Sequence, residues 1–287
     1  MVMVALVAAL ALSACGSSSK KSESSGAGKT ATAGANVDVT VTDSGKTIKY
    51  GVPKSVKGGL TTLTVSNKAK APHGAQLVLI KGDHTPQEAL KVIGAESNKT
   101  PEWLRAEGGI GQVAPGKTAD ASLVLDPGKY MVIDAGPTSG GQPAYSQFTV
   151  AGERPGSLPS TPTTVTADKT GKDKYDWKIA GELKSGTQNV TFVSKGKDSL
   201  HLIGAFRLNG NASKDQIIKA LKSNGKPPKF VDQSSFYTTA VIDGDKKQTT
   251  PLEFKTPGKW VLFCPITDRD GGKEHFLEGL VKTVDVK

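Results

Sequence analysis

The sequence predicts an all-β protein made of two antiparallel β-sandwiches, each with one short inserted helix. Glycine (33) and proline (16) are frequent and aromatic residues make up only 6% of the chain, a composition typical of short strands joined by many turns. Short apolar alternations recur after the amino-terminal segment, and the same order of segments occurs twice. At 287 residues the chain is long enough for about two domains, each with its own core.

The amino-terminal segment predicts export. Residues Met1 to Leu12 are uncharged and almost wholly apolar, and a stretch this short cannot span a bilayer. We therefore interpret residues 1–14 as a signal peptide. The Leu-Ser-Ala-Cys sequence ending at Cys15 resembles the bacterial lipobox, which implies that Cys15 is lipidated. The alternative is an ordinary signal peptide followed by an unrelated cysteine.

Residues 15–36 predict a flexible tether. They are dominated by Ser, Gly, Ala, Lys and Thr, and they cannot bury enough apolar surface to become ordered. We expect the folded part to be extracytoplasmic and attached to the bacterial cell membrane through the lipid on Cys15. Cys264 then has no partner in the chain for a disulfide.

Charge and motifs limit the classes of function. The formal net charge of +10 lies mostly in the second half of the chain and favours anionic lipid headgroups or acidic wall polymers as contacts. Nucleic acid is excluded as a partner because the lysines are scattered and are not interleaved with aromatic residues. The sequence has no Gly-x-Ser-x-Gly elbow, no His-Glu-x-x-His pair and no phosphate-binding glycine loop. It therefore predicts no catalytic residues and a protein that is not an enzyme.

The folded part reads as one unit used twice, over residues 37–151 and 163–287. In each unit an apolar strand precedes a histidine, His73 in the first and His201 in the second, and another strand follows it, predicted over 202–208 in the second unit. Residues 152–162, rich in proline, form the predicted linker, and their prolines restrict the relative orientation of the units.

Each unit carries the signature of one short helix. Thr85 is a natural N-cap, and Glu88 three residues later completes a capping box. Ser213 and Gln216 have the same roles in the second unit, where Gly225 is the predicted stop.

The last strands of the two units differ in their chemistry. Both follow a Pro-Gly-Lys-aromatic turn. Asp134 then occupies the position that corresponds to Cys264, and Tyr145 the position that corresponds to His275, with the same spacing of eleven residues. The first unit therefore lacks the thiol of the second.

The second unit resembles the cupredoxins, of the plastocyanin and azurin type, and specifically the cupredoxin-like domains of bacterial exported lipoproteins. Three features carry the resemblance: His201, the Pro-Gly-Lys-Trp-Val-Leu-Phe-Cys run that ends at Cys264, and the His-Phe-Leu-Glu-Gly-Leu run that begins at His275. It covers nearly all of the chain after the tether. It implies two tandem cupredoxin-like Greek-key β-sandwich domains.

The resemblance implies a copper site in the second unit. His201 and His275 would supply two imidazole ligands and Cys264 the thiolate, a set that blue-copper centres place in a near-trigonal plane. The usual weak axial methionine is missing, since no Met follows Met131 and the neighbourhood holds Glu278 and Leu280. A preformed pocket predicts distances of about 3 to 4 Å between ligand atoms.

The loop from Cys264 to His275 is longer than the two to four intervening residues usual in the family. The Gly271-Gly272 pair allows this loop to fold back as a hairpin and return His275 to the site. Each residue also has a simpler interpretation: Cys264 as a small buried hydrophobe, His201 as a core imidazole bonded to a carbonyl, and His275 as a solvent-exposed loop residue.

In the first unit, the resemblance implies no copper–thiolate chemistry. His73 remains, but Asp134 and Tyr145 replace the other two ligands. His73 and Asp134 could form a hydrogen-bonded pair or a weak site for a hard cation.

Two functions follow from the sequence. One is a membrane-anchored protein whose second unit binds copper for metal storage, delivery or one-electron transfer, with a redox or envelope protein as partner. The alternative is a metal-free interaction module displayed at the cell surface.

Overall fold

A computed structural model describes residues 34–44, 47–95, 98–134, 143–152, 156–223 and 225–287, and these residues are almost entirely β-structure with two short helices. This confirms the predicted all-β class and the one helix in each unit. The predicted signal peptide and Cys15 lie outside the described residues. The first strand begins at Ala35, two residues before the predicted start of the first unit.

Nine strands and one helix come from the first half of the chain. They are β1 (Ala35–Ser44), β2 (Thr47–Gly51), β3 (Ser55–Lys57), β4 (Gly59–Asn67), β5 (His73–Ile80), α1 (Pro86–Ile93), β6 (Leu104–Val113), β7 (Thr118–Leu125), β8 (Gly128–Ile133) and β9 (Tyr145–Ala151). Strands β2, β1, β4 and β7 form one layer, and β3, β9, β8, β5 and β6 form the other.

Ten strands and one helix come from the second half. They are β10 (Thr164–Gly171), β11 (Lys174–Ala180), β12 (Gly186–Ser194), β13 (Leu200–His201), β14 (Gly204–Leu208), α2 (Lys214–Leu221), β15 (Val231–Thr238), β16 (Ile242–Asp243), β17 (Lys247–Phe254), β18 (Gly258–Phe263) and β19 (Val281–Val286). Strands β11, β10, β12 and β17 face a sheet with the order β15, β14, β18 and β19.

The two halves share the same strand pairing at their start. In the first, β1 pairs antiparallel with β2 and parallel with β4. In the second, β10 pairs antiparallel with β11 and parallel with β12. Alternate residues of β4 are buried, so one face of the strand packs on the core while the other lies nearer the solvent.

Each half buries its own apolar core. Leu63, Leu77, Ile110 and Leu123 lie between the layers of the first half. The second core is more aromatic, and the rings of Phe254 and Trp260 meet edge to face at 4.9 Å. Cys264 belongs to this second core, which places the thiol beneath the sheet surface.

The helices begin where the sequence predicts. The capping boxes at Thr85 and Ser213 are both formed, because each side chain accepts from the N3 amide and the N3 side chain accepts from the cap amide. The second helix ends at Leu221 with Lys222 as its cap, three residues before the predicted stop at Gly225. Both described helices have eight residues, and neither could span a bilayer.

The two halves are joined through both of their layers. Thr249 of β17 bridges Ser122 of β7, which makes one continuous eight-stranded sheet. Ile242 of β16 bridges Glu107 of β6 and extends the other layer of the first half. Lys246 forms an ion pair with the buried carboxylate of Glu107 across the same seam.

The strand predicted to follow His201 is divided. Leu200 and His201 pair with β16, whereas β14 begins at Gly204 and pairs with β15 and β18. The chain therefore passes from one sheet to another between His201 and Gly204. This change fixes His201 next to the seam with the first half.

Candidate metal centre

Three separate elements supply the candidate ligands. His201 ends β13, Cys264 directly follows β18, and His275 lies in the connection between β18 and β19. The connection is closed by main-chain hydrogen bonds: the His275 amide donates to the Ile266 carbonyl at 2.9 Å, and the Phe276 amide to the Cys264 carbonyl at 2.9 Å. The long loop thus returns His275 to the strand end that carries the thiol.

The two glycines that the sequence assigned to this return do adopt a tight turn. Gly271 and Gly272 have φ angles of 89° and 111°, in the left-handed region that favours glycine. Asp268 and Gly271 form an isolated antiparallel bridge across the turn. The predicted hairpin is therefore confirmed.

The three ligand atoms converge in the interior. The Cys264 Sγ atom lies 3.9 Å from His201 Nδ1 and 3.8 Å from His275 Nδ1. The three ligand atoms all lie within 4.8 Å of one another, and all three residues are 0% exposed. Within the described ranges, no other group of three such side chains comes this close.

The outer nitrogen of each imidazole has its own acceptor. His201 Nε2 lies 3.3 Å from the Lys195 carbonyl, and His275 Nε2 lies 3.3 Å from Asp268 Oδ1. When each Nε2–H donates to its acceptor, Nδ1 faces the sulfur, and once deprotonated it can bind a metal. Metal-binding histidines are oriented in this way, by an acceptor for the ring N–H that does not face the metal.

The titration of the metal-free site follows from these contacts. Burial raises the pKa of the Cys264 thiol, but hydrogen bonds with His201 and His275 outweigh it and lower the pKa to about 6. Burial lowers the pKa of His275, but hydrogen bonds with Asp268 and Cys264 outweigh it and raise the pKa to about 9. The chain therefore favours a thiolate beside an imidazolium.

Asp268 and Tyr175 form a polar cover over the second histidine. The Tyr175 hydroxyl donates to Asp268 Oδ1 at 2.7 Å, and Lys169 Nζ donates to Oδ2 at 2.8 Å. The Tyr175 ring lies 4.3 Å from the His275 ring. Burial would raise the pKa of Asp268, but the hydrogen bonds from His275, Lys169 and Tyr175 hold it well below its ordinary value.

The segment in which the sequence lacks the usual methionine is buried against the thiol's strand. Leu280 is buried in the second core, and the Cys264 amide donates to its carbonyl at 3.0 Å. The Leu200 carbonyl oxygen lies 4.0 Å from Cys264 Sγ. Some blue-copper centres use a backbone oxygen as the weak axial ligand, so the missing methionine does not exclude copper.

The first half contains the pair predicted in place of this site. His73 Nδ1 lies 2.7 Å from Asp134 Oδ2. Tyr145 points elsewhere, since its hydroxyl accepts from Gln87 Nε2 at 3.1 Å on the helix side. The hydrogen-bonded interpretation of His73 and Asp134 is confirmed, and Tyr145 adds no third ligand.

Sequence reasoning missed two of the residues that shape the site. Asp268 reads as a solvated charge in a polar loop, and Tyr175 as an ordinary strand residue. The sequence offers one weak signal for Asp268, because a carboxylate often accepts the outer N–H of a ligand histidine.

No protein-family model matches the chain, and no curated protein matches it. Solved structures do match. A multicopper oxidase is 14% identical over 88% of this chain and 88% of that protein, with a TM-score of 0.23. Reduced auracyanin from Roseiflexus castenholzii is 19% identical over 43% of this chain and 94% of that protein, with a TM-score of 0.30. A copper-containing nitrite reductase from Thermus scotoductus is 11% identical over 88% of this chain and 61% of that protein, with a TM-score of 0.24.

The strand pairing, the inserted helices and the converging ligands agree with the resemblance found in the sequence. Both halves are β-sandwiches, as the resemblance to the cupredoxins predicts. TM-scores of 0.30 or less are too low to transfer a function. The candidate metal site is therefore argued only from the residues of this chain.

The prediction that the chain is not an enzyme is wrong, because the sequence does not exclude catalysis. Two of the matched structures, the multicopper oxidase and the nitrite reductase, are enzymes. The prediction was based on missing hydrolytic motifs, and a redox enzyme built on copper needs none of those motifs. At identities of 14% or less, the matches assign no reaction to this chain.

Replacing Asp268 by asparagine is expected to weaken copper binding by about 10–100-fold, because changes to groups that orient ligand histidines cost this much in metal affinity. Asparagine keeps the shape but removes the charge that His275 Nε2, Tyr175 and Lys169 face. Competition with a copper chelator measures the change. Asp270→Asn, an exposed aspartate of the same loop, is the matched control and should leave the affinity unchanged.

Proposed function

We propose that the second unit binds one copper ion through His201, Cys264 and His275 and serves metal handling or one-electron transfer. The observation that carries the proposal is the approach of two imidazole nitrogens to one buried thiol, at 3.9 and 3.8 Å. Two imidazoles and one thiolate form the ligand set of blue-copper centres. Bound copper would supply exchange of a single electron between its cuprous and cupric states.

The protein's part is to present the ligands in a fixed, dry arrangement. Strand β18 delivers the thiol, and hydrogen bonds to the Lys195 carbonyl and Asp268 hold the two rings with Nδ1 inward. The three ligand atoms already lie within 4.8 Å of one another, so only a small closer approach is needed to accept the ion. Such preorganisation favours the metal because the ordering cost is met during folding.

Copper titration of the full chain tests the proposal. The variant Cys15→Ser leaves Cys264 as the only thiol, so any sulfur–copper absorption must come from the second unit. We expect one copper per chain and an intense visible band. His73→Gln, which alters the first-unit histidine that corresponds to His201, should change neither. Absence of a thiolate-to-copper band would contradict the proposal and favour the metal-free interaction module.

We also propose that the chain is anchored to the outer side of the bacterial membrane through a lipid on Cys15, where a redox or envelope protein is its partner. The lipobox-like sequence before Cys15 and the polar segment after it support this proposal. Mass spectrometry of the protein from membranes tests it: an amino-terminal diacylglyceryl-modified Cys15 is expected, and an unmodified mature terminus would contradict it.

A further inference from the structure

The connection that carries His275 also binds the first unit. The Thr100 amide donates to the Arg269 carbonyl at 2.8 Å, and the Thr267 hydroxyl donates to the Asn98 carbonyl at 3.2 Å. These bonds join residues of the metal-site loop to the segment between α1 and β6. Residues 265–274 therefore lie between the candidate metal site and the other half of the molecule.

Arg269 is the centre of this contact. Its guanidinium donates to the Pro101 carbonyl at 2.9 Å and to the Leu104 carbonyl at 3.0 and 3.1 Å. It also pairs with Asp243, which in turn accepts from Arg105 of the first unit at 2.8 Å. Arg269 is only 3% exposed, so these bonds form out of water, where a planar guanidinium with several acceptors binds strongly.

The residue next to Arg269 faces the opposite way. Asp268 accepts from His275 Nε2, while Arg269 reaches the first unit. One backbone segment therefore connects two anchors: the seam between the units on one side and the orientation of the second imidazole on the other. A movement of Arg269 would be transmitted to His275 through a single peptide unit.

We propose that the first unit, which lacks the thiol, acts as a positioning scaffold for the metal centre, and that Arg269 is the residue through which it holds the loop closed over Cys264 and His275. The effect on copper binding rests on the proposed function. The contacts through which Arg269 holds the loop do not depend on it. It gives the first unit a function that requires no metal of its own.

The first test uses the metal-free chain and measures access to the thiol. In the Cys15→Ser background, the rate at which an alkylating reagent labels Cys264 reports how often the loop opens. Arg269→Lys keeps the charge facing Asp243 but cannot reach several carbonyls at once. Loss of one or two charged hydrogen bonds predicts labelling about 10–100-fold faster. The labelling rate of Arg269→Lys should depend little on low concentrations of urea, because a local opening exposes little surface whereas global unfolding exposes much.

Arg207→Lys is the matched control. Arg207 lies in the same unit and also donates to a carbonyl, that of Pro257 at 3.4 Å, and its hydrogen bonds among the described residues stay within the second unit. Its replacement should leave the labelling rate unchanged. Equal labelling of the wild type and Arg269→Lys would overturn the proposal. Should Arg269→Lys fail to fold, Thr267→Val removes one bond to the first unit and should accelerate labelling more modestly; an unchanged rate there also overturns it.

The second test follows copper. Arg269→Lys should shift or broaden the visible band and raise the copper dissociation rate, whereas Arg207→Lys should do neither. If the wild type shows no copper band, the proposed function fails while the labelling comparison still decides the role of Arg269. If the band appears but is identical in wild type and Arg269→Lys, the copper site stands and the scaffold role does not.

Discussion

Replacing Cys264 by serine is expected to abolish the visible copper band. It should also weaken copper binding more than a change to a residue that only orients a ligand, which costs about 10–100-fold in affinity. The thiolate is the one soft donor of the three, and softness selects copper over the harder divalent ions. A serine hydroxyl at this position stays protonated and is a poor ligand for cuprous copper. Visible absorption and chelator competition in the Cys15→Ser background measure both effects.

The fold of the Cys264→Ser variant should survive, which separates loss of metal from loss of structure. The sulfur lies near two imidazole nitrogens, so a hydroxyl in its place has hydrogen-bond partners rather than an apolar wall. The cost of the change is therefore at most about 1–3 kcal/mol, the range for a buried polar group whose bonds are imperfect. A band that persists in the serine variant would place the copper elsewhere in the chain.

Local signals in the sequence predicted the local structure. Thr85 and Glu88 are three residues apart, and the same holds for Ser213 and Gln216, so each capping box is contained in one short stretch. The return of the long loop could be predicted for the same reason, since Gly271 and Gly272 mark a turn that other residues rarely adopt.

The convergence of the ligands needed more than local signals. His201 and Cys264 are 63 residues apart, and no spacing rule brings them together. Their order along the chain, read against a known family, predicted the meeting that the structure shows. The prediction failed at the strand after His201, which changes sheet because β13 pairs with β16 at the seam.

The contacts between the units could not be predicted from the sequence. Arg269 reads as a charge in a polar, glycine-rich loop, where solvent exposure is the usual outcome. Its acceptors at Pro101 and Leu104 lie more than 160 residues away in the chain. Burial of a charge depends on partners that only the assembled fold supplies, so a single sequence has no pattern that reveals it.

Replacing Asp243 by alanine is expected to lower the free energy of unfolding by about 3–5 kcal/mol, the range for breaking a buried ion pair on one side. Asp243 is 0% exposed and accepts from Arg269, from Arg105 Nε at 2.8 Å and from the Ala106 amide at 3.0 Å. Its loss leaves the positive charge of Arg269 buried without a counterion. Urea denaturation monitored by tryptophan fluorescence measures the change.

Asp285→Ala is the matched control for Asp243→Ala. It removes an aspartate that pairs with Lys259, but the two side chains are 80% and 50% exposed, so the expected loss is at most about 1 kcal/mol. A similar small loss in both variants would contradict the buried-network interpretation. Asp243→Ala should also accelerate labelling of Cys264, because Asp243 pairs with Leu200 in the strand that carries His201 and holds the guanidinium that closes the loop. Asp243→Ala should therefore both lower the free energy of unfolding and accelerate labelling of Cys264. Asp285→Ala should have at most a small effect on stability and should leave the labelling rate unchanged.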